Sequence, residues 1–218
     1  MRVRRVGALS WILGLLGLLS CASGGAETQV TYDGLHLVPD TKMARVWTRP
    51  GASLAEYDKV KLLDCYVAFK KNWQLGRDFS QQISAARMES IKSALAAEFR
   101  KVFSEVLEEG GYAIVSQAGY GVLIVRPAII DLEITSPDPS AAQGRVVARS
   151  AGQMTLLVEL YDSATGDIIA RAVDREAGRQ IGGYAEYQSA ANNQTQARAI
   201  LRGWAERLRN ALDEARGK

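Results

Sequence analysis

Few residues in this chain combine the types and the spacing that chemistry needs. Asp131 and Glu133 stand at alternate positions of an apolar run. On an extended strand rising about 3.3 Å per residue they would project from one face, roughly 7 Å apart. That separation suits a paired-carboxylate hydrolase, one acid donating a proton while the other assists attack. Two solvated acids on the outer face of a half-exposed strand explain the same residues, and that is the preferred reading. The single histidine, His36, lies between Leu35 and Leu37. No Asp, Glu or Cys cluster sits near it at ligand spacing, so neither a zinc site nor a triad is expected. Ser-x-x-Lys and Gly-x-Ser-x-Gly do not occur, which removes the common serine nucleophile motifs. Asp162, Thr165 and Asp167 supply too few oxygens for calcium and are explained by turn formation. The glycines from Gly178 to Gly183 have the wrong spacing for a phosphate cradle, and no lysine follows them. No catalytic residue, cofactor or metal is expected.

Binding leaves a weaker signature. Tyr184 and Tyr187 lie in a Gly- and Tyr-rich stretch, and tyrosine offers rigid contact area at modest entropic cost. With Trp47 they are the candidates for contact with a partner, ordinary loop packing being the alternative. Cys65, inside the apolar run Leu62 to Val67, reads as an inert buried thiol, because reactivity needs an electropositive, partly exposed setting.

Cys21 is different. Arg2, Arg4 and Arg5 precede an uncharged run from Val6 to Ser20, the layout of a secretory signal. The run is shorter than the roughly 20 residues that span a bilayer as a helix. It ends in Leu18-Leu19-Ser20-Cys21, which resembles the lipobox of bacterial lipoproteins. That resemblance implies cleavage before Cys21, lipidation of its sulfur, and attachment by several acyl chains, one alone being a marginal anchor. Ala22 stands where Asp would imply inner-membrane retention, so an outer-membrane location facing the periplasm is expected. Cleavage also changes the charge. The whole chain is formally +3, and loss of three arginines brings Lys and Arg from 27 to 24, level with the 24 Asp and Glu. A neutral chain without a basic block is not expected to bind nucleic acid.

The elements that would carry these residues follow from periodicity. Residues 1–20 read as signal peptide, 21–30 as a lipidated tether, 31–58 as an ordered arm punctuated by Pro and Gly, and 59–218 as one domain. Val60 to Phe69 reads as the first core strand. Asp78 is the expected cap of a long helix carrying Ile91, Leu95, Phe99, Val102 and Val106 on one stripe and ending at Gly110-Gly111. Tyr112 to Ser116 is a short strand. Gly121 to Thr135 is a long one, with a bulge or an edge position expected at Pro127 and Ala128, Ile130, Leu132 and Ile134 on one face. Met154, Leu156, Val158 and Leu160 alternate into a hairpin turning at Asp162 to Asp167, with Gly166 at positive φ. Asn193 or Thr195 is the expected cap of a closing helix through Leu201, Trp204 and Leu212. Together these predict an α+β fold: a mainly antiparallel sheet of about five strands, two long helices packed on one face, and the arm in front.

The stretch from Arg49-Pro50-Gly51 to Asp58-Lys59-Val60, with Thr165-Gly166-Asp167-Ile168, resembles an uncharacterised Gram-negative lipoprotein family known only as domain of unknown function 3313. These motifs are turns and strand starts, so the resemblance implies no catalytic residues. Anchor, neutral domain and missing catalytic set point to a non-enzymatic binding or accessory module of the cell envelope with an envelope protein partner. The alternatives are an envelope hydrolase using Asp131 and Glu133, and a carrier holding a small ligand between sheet and helices.

Overall fold

The computed structural model describes residues 29–75, 82–134, 147–148, 152–178, 186–187 and 190–218. In chain order these form β1 (His36–Val38), β2 (Arg45–Thr48), β3 (Lys59–Leu62), β4 (Tyr66–Phe69), α1 (Ala85–Glu109) and β5 (Ala113–Ile114). There follow β6 (Val122–Ile134), β7 (Val147–Ala148), β8 (Gly152–Asp162), β9 (Ile168–Ala177), β10 (Glu186–Tyr187) and α2 (Ala190–Ala215). The fold is α+β with two long helices. The sheet is larger than expected and mixed: eight strands, in the order β1-β2-β9-β8-β6-β3-β5 with β4 also beside β6. From β1 to β6 the pairs are antiparallel. On the far side of β6, strands β3 and β4 run parallel to it, and β5 runs parallel to β3. A parallel pair requires a long crossover, and α1 is the segment that returns the chain to the start of the sheet.

Two causes raise the strand number. Residues 36–48 contribute β1 and β2, which extend the sheet from β9. The expected single strand Val60 to Phe69 is two strands, β3 and β4, separated by Leu63-Asp64-Cys65. Arg100 on α1 ties that break down, donating to the Leu62 carbonyl at 3.1 Å and to Asp64 at 2.7 Å. β6 passes both pieces, pairing Val122–Val125 with β3 and Ala128–Leu132 with β4. Pro127 falls at the changeover. Its missing N–H therefore costs no ladder bond, which is how proline is tolerated inside a sheet.

The bulge in β6 is four residues beyond Pro127. Ile130 faces Thr155 but Glu133 faces Gln153, so β6 holds one extra residue, and Asp131 takes it with φ 51°. One extra residue reverses the alternation. Leu123, Val125 and Ile129 point to the core before the bulge and Leu132 after it. Ala128 and Ile130 are on the other face, contrary to the unbroken alternation expected from sequence.

The β8–β9 hairpin follows expectation. Gly166 has φ 77°, and the Asp162 carboxylate accepts from the backbone N–H groups of Ala164 and Thr165 at 2.8 and 2.7 Å. α1 is capped by Ser84, whose hydroxyl accepts from the Arg87 N–H at 3.1 Å. The expected cap, Asp78, lies outside the described residues, and the helix begins later than it implied. At the other end Gly111, at φ 82°, supplies the left-handed residue. α2 begins before the expected caps Asn193 and Thr195.

One buried cluster joins Phe99, Val102 and Val106 of α1, Leu201, Trp204 and Leu212 of α2, and the inward residues of β3, β6, β8 and β9. A second, smaller cluster holds Leu35, Trp47 and Ile168. Register also locates where the chain comes in. Val30 bridges His36, His36 faces Thr48, and Thr48 faces Ala170 near the start of β9.

Candidate functional site

The last residues of β6 and the first of β8 meet the opening turns of α1 and α2 at one end of the sheet. They enclose a groove of about 320 Å³. Its floor is apolar: Ile91 and Leu95 from α1, Leu132 from β6, Met154 from β8 and Ile200 from α2. The bulge at Asp131 makes this floor, since in an unbroken alternation Leu132 would share the outward face of Ala128 and Ile130. Gly152 lets β8 begin so close to β6. Its φ is 145°, and a Cβ there would meet the Glu133 carbonyl oxygen at 2.0 Å.

The rim is polar. Ser90, Gln153, Asn193, Gln194 and Gln196 provide neutral hydrogen-bonding groups. Both acids of the lining are already engaged. Glu98 accepts from Arg198 at 3.0 Å, and Arg198 also holds Glu105 at 2.9 Å. Glu133 accepts from Lys70 at 2.8 Å and from Gln153 at 2.6 Å, with Arg175 at 3.9 Å. The Lys70 hydrogen bond holds the Glu133 carboxyl below the usual carboxylate range.

The residues singled out from sequence fall as follows. Asp131 is exposed at the bulge, while Glu133 is fixed in ion pairs, and no hydrogen bond among the described residues links the two. A general acid needs a raised pKa, the opposite of the direction at Glu133. His36 is exposed at the start of β1. Among the described residues no group of three His, Cys, Asp or Glu could hold a metal ion. Cys65 is buried, and burial pushes its thiol up to about 12, far from the thiolate that reactivity requires. Trp47 is only 8% exposed and packs with Leu35 and Ile168, so the chain itself covers most of the ring. Tyr187 is described as backbone only, in β10 beside Val147. Tyr184 and Cys21 lie outside the described residues.

The groove itself was not among the residues singled out from sequence. Its one local signal is the run Asn192-Asn193-Gln194-Thr195-Gln196, which puts amides at the start of α2 where a helix facing only core would carry apolar residues.

No helix among the described residues is long and apolar enough to cross a membrane. A family described as a protein of unknown function (DUF3313) matches residues 23–208. No curated protein sequence matches. Among solved structures the chain is similar to the PelC dodecamer from Paraburkholderia phytofirmans, at 11% identity and a TM-score of 0.40, over 75% of this chain and 96% of that one. It is also similar to a neuraminyllactose-binding hemagglutinin homolog from Helicobacter pylori, at 12% identity and a TM-score of 0.34, over 77% of this chain and 94% of that one.

Proposed function

The chain belongs to the DUF3313 family, and from that footing we propose that it is a lipid-anchored, non-enzymatic binding module of the cell envelope, its binding site the groove between sheet and helices. The observation that carries the reading is the groove: an apolar floor beneath a rim of amides, with both acids paired. Ligand sites of small molecules have this character, mostly apolar with a few polar groups that orient the occupant, in volumes of about 300–1,000 Å³. Hydrolysis is disfavoured by the same geometry, because Glu133 is tied to Lys70 and Gln153 and Asp131 is turned out at the bulge.

The anchor is supported by Leu18-Leu19-Ser20-Cys21 behind its basic, apolar leader. Placement at the outer membrane, facing the periplasm, is supported by Ala22 after the cysteine. Palmitate attached at Cys21 is the expected modification. Growth with an alkyne-bearing palmitate analogue should label the wild-type protein and leave Cys21→Ala unlabelled. The same variant should leave the membrane fraction in high salt. A Cys21→Ala protein that still sediments with membranes overturns the anchor and leaves the groove untouched.

A further inference from the structure

The charges around the groove do not balance, and we propose that it takes a single-chain amphiphile with an anionic head, the chain lying on the apolar floor and the head at Arg87. This rests on the groove being the binding site, as proposed above. Glu98 is paired with Arg198, which it shares with Glu105, and Glu133 is paired with Lys70. Arg87 also lines the groove, in the first turn of α1, and is exposed. Among the described residues no carboxylate lies within ion-pair distance of it. The first turns of α1 and α2 carry no acidic side chain either. Among the described residues that line the groove, the charge without an ion-pair partner is therefore the Arg87 guanidinium, whose fork of donors suits a carboxylate or a phosphate. An amine head would meet repulsion there, and a neutral head would leave the cation unanswered. The volume, about 320 Å³, is at the small end for ligand sites and admits one chain more readily than two. A free fatty acid and a monoacyl phospholipid share this chemistry.

The test uses the full chain carrying Cys21→Ser, so that no acyl group of its own competes, with binding measured by calorimetry. Dodecanoate should bind at least about ten-fold more tightly than dodecanol, since ion pairing to arginine is charge-assisted. Affinity should rise about four-fold per added methylene from octanoate upward. Arg87→Gln should erase the preference for the acid and leave dodecanol unaffected. Ala94→Trp, at an exposed position of α1 inside the groove, should abolish binding of both. Monoacyl phosphatidylglycerol displacing dodecanoate marks a phospholipid as the source of the ligand, and failure to displace marks a free acid. Equal binding of dodecanol and dodecanoate overturns the anionic head and keeps the groove. Binding of neither, or binding undiminished in Ala94→Trp, overturns the groove as the site.

Discussion

Asp174 ties three separate parts of this molecule through one buried carboxylate. It is 6% exposed and accepts from the Trp204 indole N–H at 2.8 Å, from the Ala44 backbone N–H at 2.9 Å, and from Arg207. Arg207 reaches on to Glu176 at 2.9 Å. One carboxylate thus joins β9, α2 and the turn before β2. Asp174→Ala leaves the Trp204 indole N–H without its acceptor and Arg207 with Glu176 alone, and removing one partner from a buried ionic network costs about 3 kcal/mol. The expected result is a lower urea midpoint with an unchanged slope. A pH dependence comes from carboxylates elsewhere, Asp33 and Glu133 among them. Arg171 holds Asp33, and Lys70 holds Glu133, below their ordinary values of 3.8 and 4.5. A folded-state pKa below the unfolded one contributes stability that is fully present above the unfolded value and is lost as pH falls through the folded value. Stability should be flat down to about pH 5 and then fall with acid. Lys70→Gln should flatten the part due to Glu133, as read from urea midpoints at several pH values.

Among the elements, α1 shows how a local signal and a tertiary one differ. Its N-terminus is set by the Ser84 hydroxyl, and Ser84→Ala should cost about 1 kcal/mol, read as a shift of urea midpoint. Its buried stripe was legible because helical period survives any choice of partner. The β8–β9 hairpin was legible for a like reason: Asp162 and Gly166 specify the turn within a few residues. β6 was not. Its outward acids looked regular because a bulge has no fixed residue signature, and Asp131 adopts a positive φ that asparagine and aspartate tolerate better than other side chains. Nor did the apolar run from Val60 to Phe69 announce its break. Leu63 and Cys65 are as apolar as their neighbours, and what divides β3 from β4 is a contact with Arg100, more than thirty residues away in the chain. Pro127 sits neither at a bulge nor on an edge strand, contrary to expectation, and marks instead the exchange of one neighbour for another along β6.

For the whole molecule, pairing was the hidden variable. Sequence separates strands from helices by period, yet parallel and antiparallel neighbours share that period, so the crossover through α1 and the mixed sheet follow only from the assembled chain. The groove is hidden in the same way. Ile91, Leu95, Met154 and Ile200 read as core, and each does lie on a core-facing stripe. The space arises where the opening turns of α1 and α2 leave the ends of β6 and β8 uncovered. The register of the first strands adds one consequence. The chain arrives beside β1 at the level of Ala170, whereas the groove lies at the level of Ala177, the partner of its lining residue Gln153. At about 3.3 Å per residue that places it roughly 20 Å further along the strands. Were the protein tethered through Cys21 as proposed, a ligand in the groove would sit at the end of the sheet away from the one where the described chain enters, and an acceptor arriving from solution, more than the bilayer, would be its next contact.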